Sequence, residues 1–378
     1  MTERTWEGPL TAFLGDPVFE RTLAFAEGRQ HVIAITASGA VIMPDIKGNL
    51  HRSTDNGQTW QVVESEHEIK GTPVLNETTG EMLLLGIAGH CDPVDPDARL
   101  DYSDGFNLPL LKSSDDGRSW QRKTGVLHLD ENGWLPRLIN DKGITLRHGD
   151  KAGRLLVPAR VHVGYTNKGR GRRFFDKHYN TAAWSDDGGV TWWPSAPFPQ
   201  NGTGEGTLAE LSDGTIYYNS RCHIAADARR REAWSDDGGE TWRDLRVSVL
   251  PDRSGGHDGQ NQAYGCKGGL VRLPVEGRDI LLYSHPDIPI EHHRRENVTV
   301  WMSVDGGAHW PIKRSVYEGP GGYSMLEAGR PGTPTEGTIH MTFRDYHDRL
   351  QHYARFNLAW ILEGEATGDG ELPDWVAR

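Results

Sequence analysis

One eight-residue pattern constrains this chain more than any other feature, because it recurs five times at wide and regular intervals. It reads Ser-x-Asp-x-Gly-x-x-Trp and occupies residues 53–60, 113–120, 185–192, 235–242 and 303–310. In a hairpin turn the aspartate accepts backbone N–H groups, the glycine supplies positive φ, and the tryptophan buries its ring between sheets. One copy is a weak turn signal; five intact copies are a repeat. Successive aspartates lie 50 to 72 residues apart, the length of one four-stranded blade. Dividing 378 residues by about 60 per blade predicts an all-β, six-bladed β-propeller. It is a single domain over residues 1–378, whose last blade, residues 317–378, lacks the motif.

Between the motifs, residues 31–36, 40–43, 81–87, 154–159, 207–211, 215–220, 280–284 and 338–344 read as short strands, and helix signals are almost absent. The 46 glycines, 21 prolines and 13 tryptophans suit a turn-rich β protein. A net charge of -12 argues against a nucleic-acid or anionic-membrane binder, so an acidic ligand must meet a local cationic pocket. No stretch approaches the roughly 18 apolar residues of a membrane span. The N-terminus has neither a basic n-region nor an apolar h-region, so the expected compartment is cytoplasmic, or secreted if a leader was removed. Cys91, Cys222 and Cys266 show no CxxC spacing and read as free thiols. No metal motif is present, and no cofactor or metal is expected.

A propeller gathers a site from strand ends distant in sequence, so the informative residues are charged or phenolic groups inside strand-like or glycine-rich segments. Four segments qualify. Residues 202–214 carry Glu205 ahead of a strand, and Arg221 ends the next strand within Tyr217-Tyr-Asn-Ser-Arg221-Cys-His223. Residues 264–303 run through Tyr264-Gly-Cys266, Leu281-Leu-Tyr-Ser-His285-Pro, and Arg294-Arg295 before a strand. Gly321-Gly-Tyr323-Ser-Met-Leu326 follows the fifth turn motif. Ile144-Thr-Leu-Arg147 and Gly153-Arg-Leu-Leu-Val-Pro158-Ala159 form a strand pair.

Taken in order, these segments and the Asp-box (BNR) turns resemble the sialidase (neuraminidase) superfamily, in particular the exo-α-sialidases of glycoside hydrolase family 33, over about residues 31–363. The resemblance implies that Tyr323 is a nucleophile and Glu205 the base that takes its proton. Arg221 and Arg295 would bind the substrate carboxylate, with Arg294 as the neighbour able to exchange roles with Arg295. The family's first-blade R-I-P is absent. His31 occupies the strand expected to carry its arginine, and Lys47 is the other cation able to replace it. The family's acid/base aspartate is also missing from its loop, which leaves Asp45 as the nearby carboxylate for general acid/base work. Near the C-terminus the family's Y-E is Phe343-Arg344.

The function expected from this pattern is an exo-acting glycoside hydrolase. It would release a terminal acidic sugar, sialic acid or a related 2-keto-3-deoxy acid, with retention, from a glycoconjugate partner. The first alternative is a lyase or other hydrolase acting on a uronic-acid-containing glycan, with Tyr323 or one of His223, His257, His285, His292 and His293 as base. The second is a non-catalytic glycan-binding propeller.

Overall fold

The computed structural model describes residues 6–25, 32–86, 105–138, 141–162, 177–252, 265–289, 295–345 and 347–376. Its strands follow the turn motifs. The first blade is β2 (Ala34–Ile35), β3 (Val41–Pro44), β4 (Leu50–Ser53) and β5 (Gln61–Val63), and the second is β6 (Thr72–Asn76), β7 (Glu81–Leu85), β8 (Phe106–Ser113) and β9 (Gln121–Leu127). The third comprises β10 (Ile144–Thr145), β11 (Leu155–Val161), β12 (Tyr179–Ser185) and β13 (Thr191–Pro194); β13 also pairs with β9 in parallel and fuses the two blades at their rim. The fourth is β14 (Thr203–Glu210), β15 (Ile216–Cys222), β16 (Arg229–Ser235) and β17 (Arg243–Pro251). The fifth is β18 (Gly269–Arg272), β19 (Leu281–Pro286), β20 (Glu296–Ser303) and β21 (Ile312–Pro320). Within each blade, successive strands pair antiparallel and run outward from the axis.

The sixth blade differs from the division made on length. Its three inner strands are β22 (Ser324–Ala328), β23 (Ile339–Arg344) and β24 (Gln351–Phe356), but its outer strand is the N-terminal β1 (Phe19–Phe25), paired antiparallel with β24. The remaining tail turns through a short helix, α1 (Leu358–Leu362), to β25 (Glu365–Ala366), which extends the fifth blade through β21. This accounts for five turn motifs on six blades. Each motif joins the third strand of a blade to the fourth, and in the last blade those two strands are not consecutive in sequence.

The motif chemistry is realised as expected. In the third copy, Asp187 Oδ1 accepts the N–H groups of Val190 at 3.0 Å and Thr191 at 2.8 Å, while Ser185 Oγ accepts from Gly189 N at 2.9 Å. Gly189 has φ 94, which only glycine adopts readily, and Trp192 is fully buried. The ring closes through six apolar clusters, one at every junction between neighbouring blades. Ile33, Val41, Met325 and Tyr353, for example, join the first blade to the sixth. Cys222 and Cys266 are buried free thiols; Cys91 lies outside the described residues.

Candidate active site

The start of each innermost strand and the end of the next lie at the same end of the propeller axis, and the candidate residues sit at such positions. Glu205 is aimed by an irregularity. The ladder between β14 and β15 pairs Gly204 with Arg221 and Gly206 with Ser220, which leaves Glu205 as an extra residue with φ 58. A bulge of this kind re-aims a side chain at local cost. Tyr323 stands just before β22, and it and Gly322 both oppose Arg344: Gly322 N donates to Arg344 O at 2.9 Å and Arg344 N to Tyr323 O at 3.0 Å.

The Tyr323 hydroxyl donates to Glu205 Oε1 at 2.7 Å, a bond between the sixth and fourth blades across 118 residues of sequence. Arg221, next to last in β15 and 1% exposed, donates from Nη1 to the Glu205 carboxylate and, at 3.3 Å, to the Tyr323 oxygen. Arg295, at the entrance to β20, places its guanidinium carbon 5.0 Å from the Tyr323 ring centroid and donates from Nη2 to Gly265 O at 3.0 Å. Four residues singled out in the sequence thus meet at one end of the axis.

Their charges support one another. Burial alone would push the Glu205 pKa up, but the Arg221 charge, the Tyr323 hydrogen bond and the Arg160 charge outweigh it and hold the carboxyl at about 2. Arg221 is correspondingly held well above the usual guanidinium value: burial lowers it, and Glu205 and then Tyr323 raise it further. Glu205 is therefore ionised at neutral pH and able to accept the phenol proton.

The first-blade assignments come out differently. Asp45 caps the turn between β3 and β4: Oδ1 accepts the N–H groups of Lys47 at 2.8 Å and Asn49 at 2.9 Å, and Oδ2 meets Asn49 Nδ2 and His51 Nε2. Burial raises its pKa, but these bonds, those from Asn49 foremost, hold it below the ordinary value, so it carries no proton to donate near neutrality. Asp45 is thus a turn residue whose two carboxylate oxygens both have partners within the turn or on β4. Lys47 is exposed at the tip of the same turn, and its backbone N–H donates to Asp45. His31, Arg294, His257, His292 and His293 lie outside the described residues. His223 is buried, its Nδ1 3.3 Å from the Gly202 carbonyl, and burial followed by the Arg221 and Arg160 charges keeps it well below the usual histidine pKa. His285 is fully buried, with Nε2 3.5 Å from Asp252.

Two residues escaped the sequence reading. Asp252, fully buried, accepts from Cys222 N at 2.7 Å and Cys266 N at 3.1 Å and pairs with Arg230 at 3.3 Å, fastening the fourth blade to the fifth beside Arg221. Arg160, next to last in β11, lies at the same end of the axis; the available signal was a charged residue inside a strand that otherwise reads Leu-Leu-Val-Pro-Ala and Val. At the opposite end lies a cavity of about 120 Å³ lined by Trp6, Glu77, Arg147, Glu210 and Arg330 among others. Tyr323 and Glu205 are not part of it.

The repeat, the closed ring and this strand-end cluster define a class, the six-bladed propellers of the sialidase superfamily. A family model described as "BNR repeat-like domain" matches residues 65–341, and one described as "BNR/Asp-box repeat" matches residues 51–62. The chain belongs to the BNR repeat-like family. Similar proteins include a sialidase of Micromonospora viridifaciens, 29% identical over 85% of this chain and 48% of that protein. A sialidase of Bacteroides fragilis is 24% identical over 78% of this chain and 55% of that protein. The chain thus spans about half the length of these relatives. Among solved structures, the intramolecular trans-sialidase of Ruminococcus gnavus, in complex with oseltamivir carboxylate, matches with TM-score 0.61 at 17% identity, over 90% of this chain and 98% of that one. A Streptococcus pneumoniae sialidase matches with TM-score 0.58 at 16% identity, over 95% and 71%.

Proposed function

We propose that the protein is an exo-acting glycoside hydrolase that releases a terminal 2-keto-3-deoxy acid sugar, sialic acid or a close analogue, with retention of configuration. The observation that carries this reading is the 2.7 Å bond from the Tyr323 hydroxyl to the Glu205 carboxylate, with Arg221 beside both groups. A phenol is a weak nucleophile until a base takes its proton, and an ionised glutamate within hydrogen-bond reach is such a base. A neutral nucleophile also suits this substrate class, whose anomeric carbon carries a carboxylate that would repel an anion.

In the first step the Tyr323 oxygen bonds to the anomeric carbon, its proton passes to Glu205, and the bond to the leaving oxygen breaks. In the second step water attacks the same carbon and the tyrosyl bond breaks; Glu205 returns the proton to the phenol oxygen, and the proton lost by the water passes to solvent, where it balances the oxyanion that left in the first step. Arg221 and Arg295 hold the carboxylate throughout. With Asp45 committed to its turn, no protein acid is assigned to the leaving oxygen. Aryl ketosides, whose leaving groups need no proton, are therefore the substrates of choice.

The test is a panel of aryl glycosides of sialic, deaminated sialic and uronic acids. Release of the aryl alcohol from a ketoside, with the first-formed sugar in the starting anomeric configuration by NMR, supports the reading. An unsaturated, ultraviolet-absorbing product identifies a lyase, and an inert panel leaves a binding propeller.

A further inference from the structure

Glycine stands on both sides of the glutamate in Gly204-Glu205-Gly206, yet neither glycine is among those with positive φ. Backbone freedom does not explain them; space does. A Cβ on Gly206 would fall 2.2 Å from Tyr218 Cε2 and 2.5 Å from Asn180 Nδ2, in the packing between the third and fourth blades. A Cβ on Gly204 would fall 2.5 Å from Arg160 Nε, 2.7 Å from Cζ and 2.8 Å from Cδ. The guanidinium of the neighbouring blade therefore fills the volume that a side chain at position 204 would need.

Arg160 is held there firmly. It is 5% exposed, and its backbone exchanges hydrogen bonds with Arg137 at 2.8 and 3.0 Å. Its Nη2 donates to His178 Nδ1 at 2.9 Å; a guanidinium has no acceptor, so that nitrogen is a lone pair and the neutral ring carries its proton on Nε2. His178 stacks on His162 with centroids 4.5 Å apart, and burial, then the Arg160 charge, pushes His162 down to about 2.

We propose that Arg160 is a positioning residue for Glu205: seated in the slot left open at Gly204, its guanidinium adds a second buried positive charge to that of Arg221 and keeps the carboxylate charged and turned toward Tyr323. The proposal rests on the reading of Tyr323 and Glu205 as the reacting pair. Other ionisable groups lie near this carboxylate. Lys267, from the segment before β18, is 2% exposed and stands 3.8 Å from Asp141. Arg230, from β16, bonds the Glu205 carbonyl at 3.4 Å and is itself paired with Asp252. His162 is neutral, and burial pushes the Cys266 thiol up to about 11, so neither carries charge near neutrality. Among the charges that lower the Glu205 pKa, Arg160 follows only Arg221.

The experiment measures kcat, KM and their pH dependence on an aryl ketoside for Arg160→Gln, Arg160→Lys, Gly204→Ala, Arg160→Ala and the double variant Arg160→Ala/Gly204→Ala. Arg160→Gln is expected to lower kcat with little change in KM and to move the acid limb of kcat/KM up by at least about one pH unit, and Arg160→Lys to restore most of the wild-type profile. Gly204→Ala is expected to be damaging beside Arg160 and nearly neutral beside Ala at 160, because the crowding atom is then gone. An unmoved acid limb in Arg160→Gln, or penalties that simply add in the double variant, would overturn the proposal. The same cycle read in thermal unfolding needs no substrate. Coupling there in a protein inert on every ketoside defeats the reading of the reaction, whereas additivity in the unfolding of an active protein defeats the slot.

Discussion

Tyr323→Phe removes one oxygen atom and leaves the ring that Arg295 overlies in place, so it separates chemistry from binding. That oxygen has two described polar partners: it donates to Glu205 at 2.7 Å and accepts from Arg221 at 3.3 Å. If it forms the covalent bond to the sugar, its loss falls on the transition state and turnover drops by about 10³-fold or more, roughly 4 kcal/mol of lost stabilisation. The guanidinium groups proposed to bind the substrate carboxylate are untouched, so the dissociation constant for the free acidic sugar should change by less than about tenfold, within 1.4 kcal/mol. Glu205 also loses one of the groups that lower its pKa while keeping Arg221 and Arg160. Steady-state release of an aryl alcohol gives the first quantity and isothermal titration with the free sugar acid the second. Hydrolysis by Tyr323→Phe within tenfold of the wild type, with unchanged stereochemistry, would refute the tyrosyl step.

Glu205→Gln should likewise abolish turnover while retaining ligand affinity, and it tests a linkage as well. Because the Glu205 pKa is lowered from 4.5 to about 2, its ionisation contributes stability that is fully present above pH 4.5 and is lost as pH falls toward 2; urea unfolding between pH 3 and pH 6 should show that slope in the wild type and not in Glu205→Gln. Arg295→Ala should raise KM by about 10- to 100-fold with a smaller loss in kcat, as expected for a charge-assisted contact to a carboxylate outside the reacting pair; steady-state kinetics with an effect confined to kcat would remove Arg295 from the carboxylate site. Asp187→Ala leaves the Val190 and Thr191 N–H groups without their carboxylate and should cost about 1–2 kcal/mol in chemical denaturation, with kcat unchanged at temperatures where the variant is folded.

What the sequence disclosed follows from how local the physics is. An Asp-box turn is complete within eight residues, so its carboxylate, glycine and tryptophan can be read directly, and the blade count follows from their spacing. Glu205, Arg221, Arg295 and Tyr323 were legible because each stands in a recognisable segment and the segments keep their order. Arg160 and Asp252 were not, since their meaning lies in neighbours contributed by other blades: Arg160 matters through a glycine of the fourth blade, and Asp252 through two backbone N–H groups 44 residues apart, at Cys222 and Cys266. Asp45 follows β3 at the end of the axis where the site lies, and no sequence pattern reveals that its carboxylate is already engaged by its own turn. The sixth blade was misdrawn for a related reason. Length arithmetic cannot reveal that its outer strand comes from the other end of the chain.

That pairing sets a clock for synthesis. Glu20 of β1 bonds Arg355 of β24, 335 residues later, so at ordinary rates of elongation roughly 20 to 70 s separate the emergence of the two strands. Throughout that interval the β1 segment has no partner to pair with, while each blade can form its internal hairpins as it is made. The nascent ring is therefore an open arc with an adhesive edge at its last-made end and a loose strand at its first-made end. Glu20 and Arg21 within the Phe19–Phe25 segment are charges of the kind that discourage such a strand from pairing with another chain while it waits.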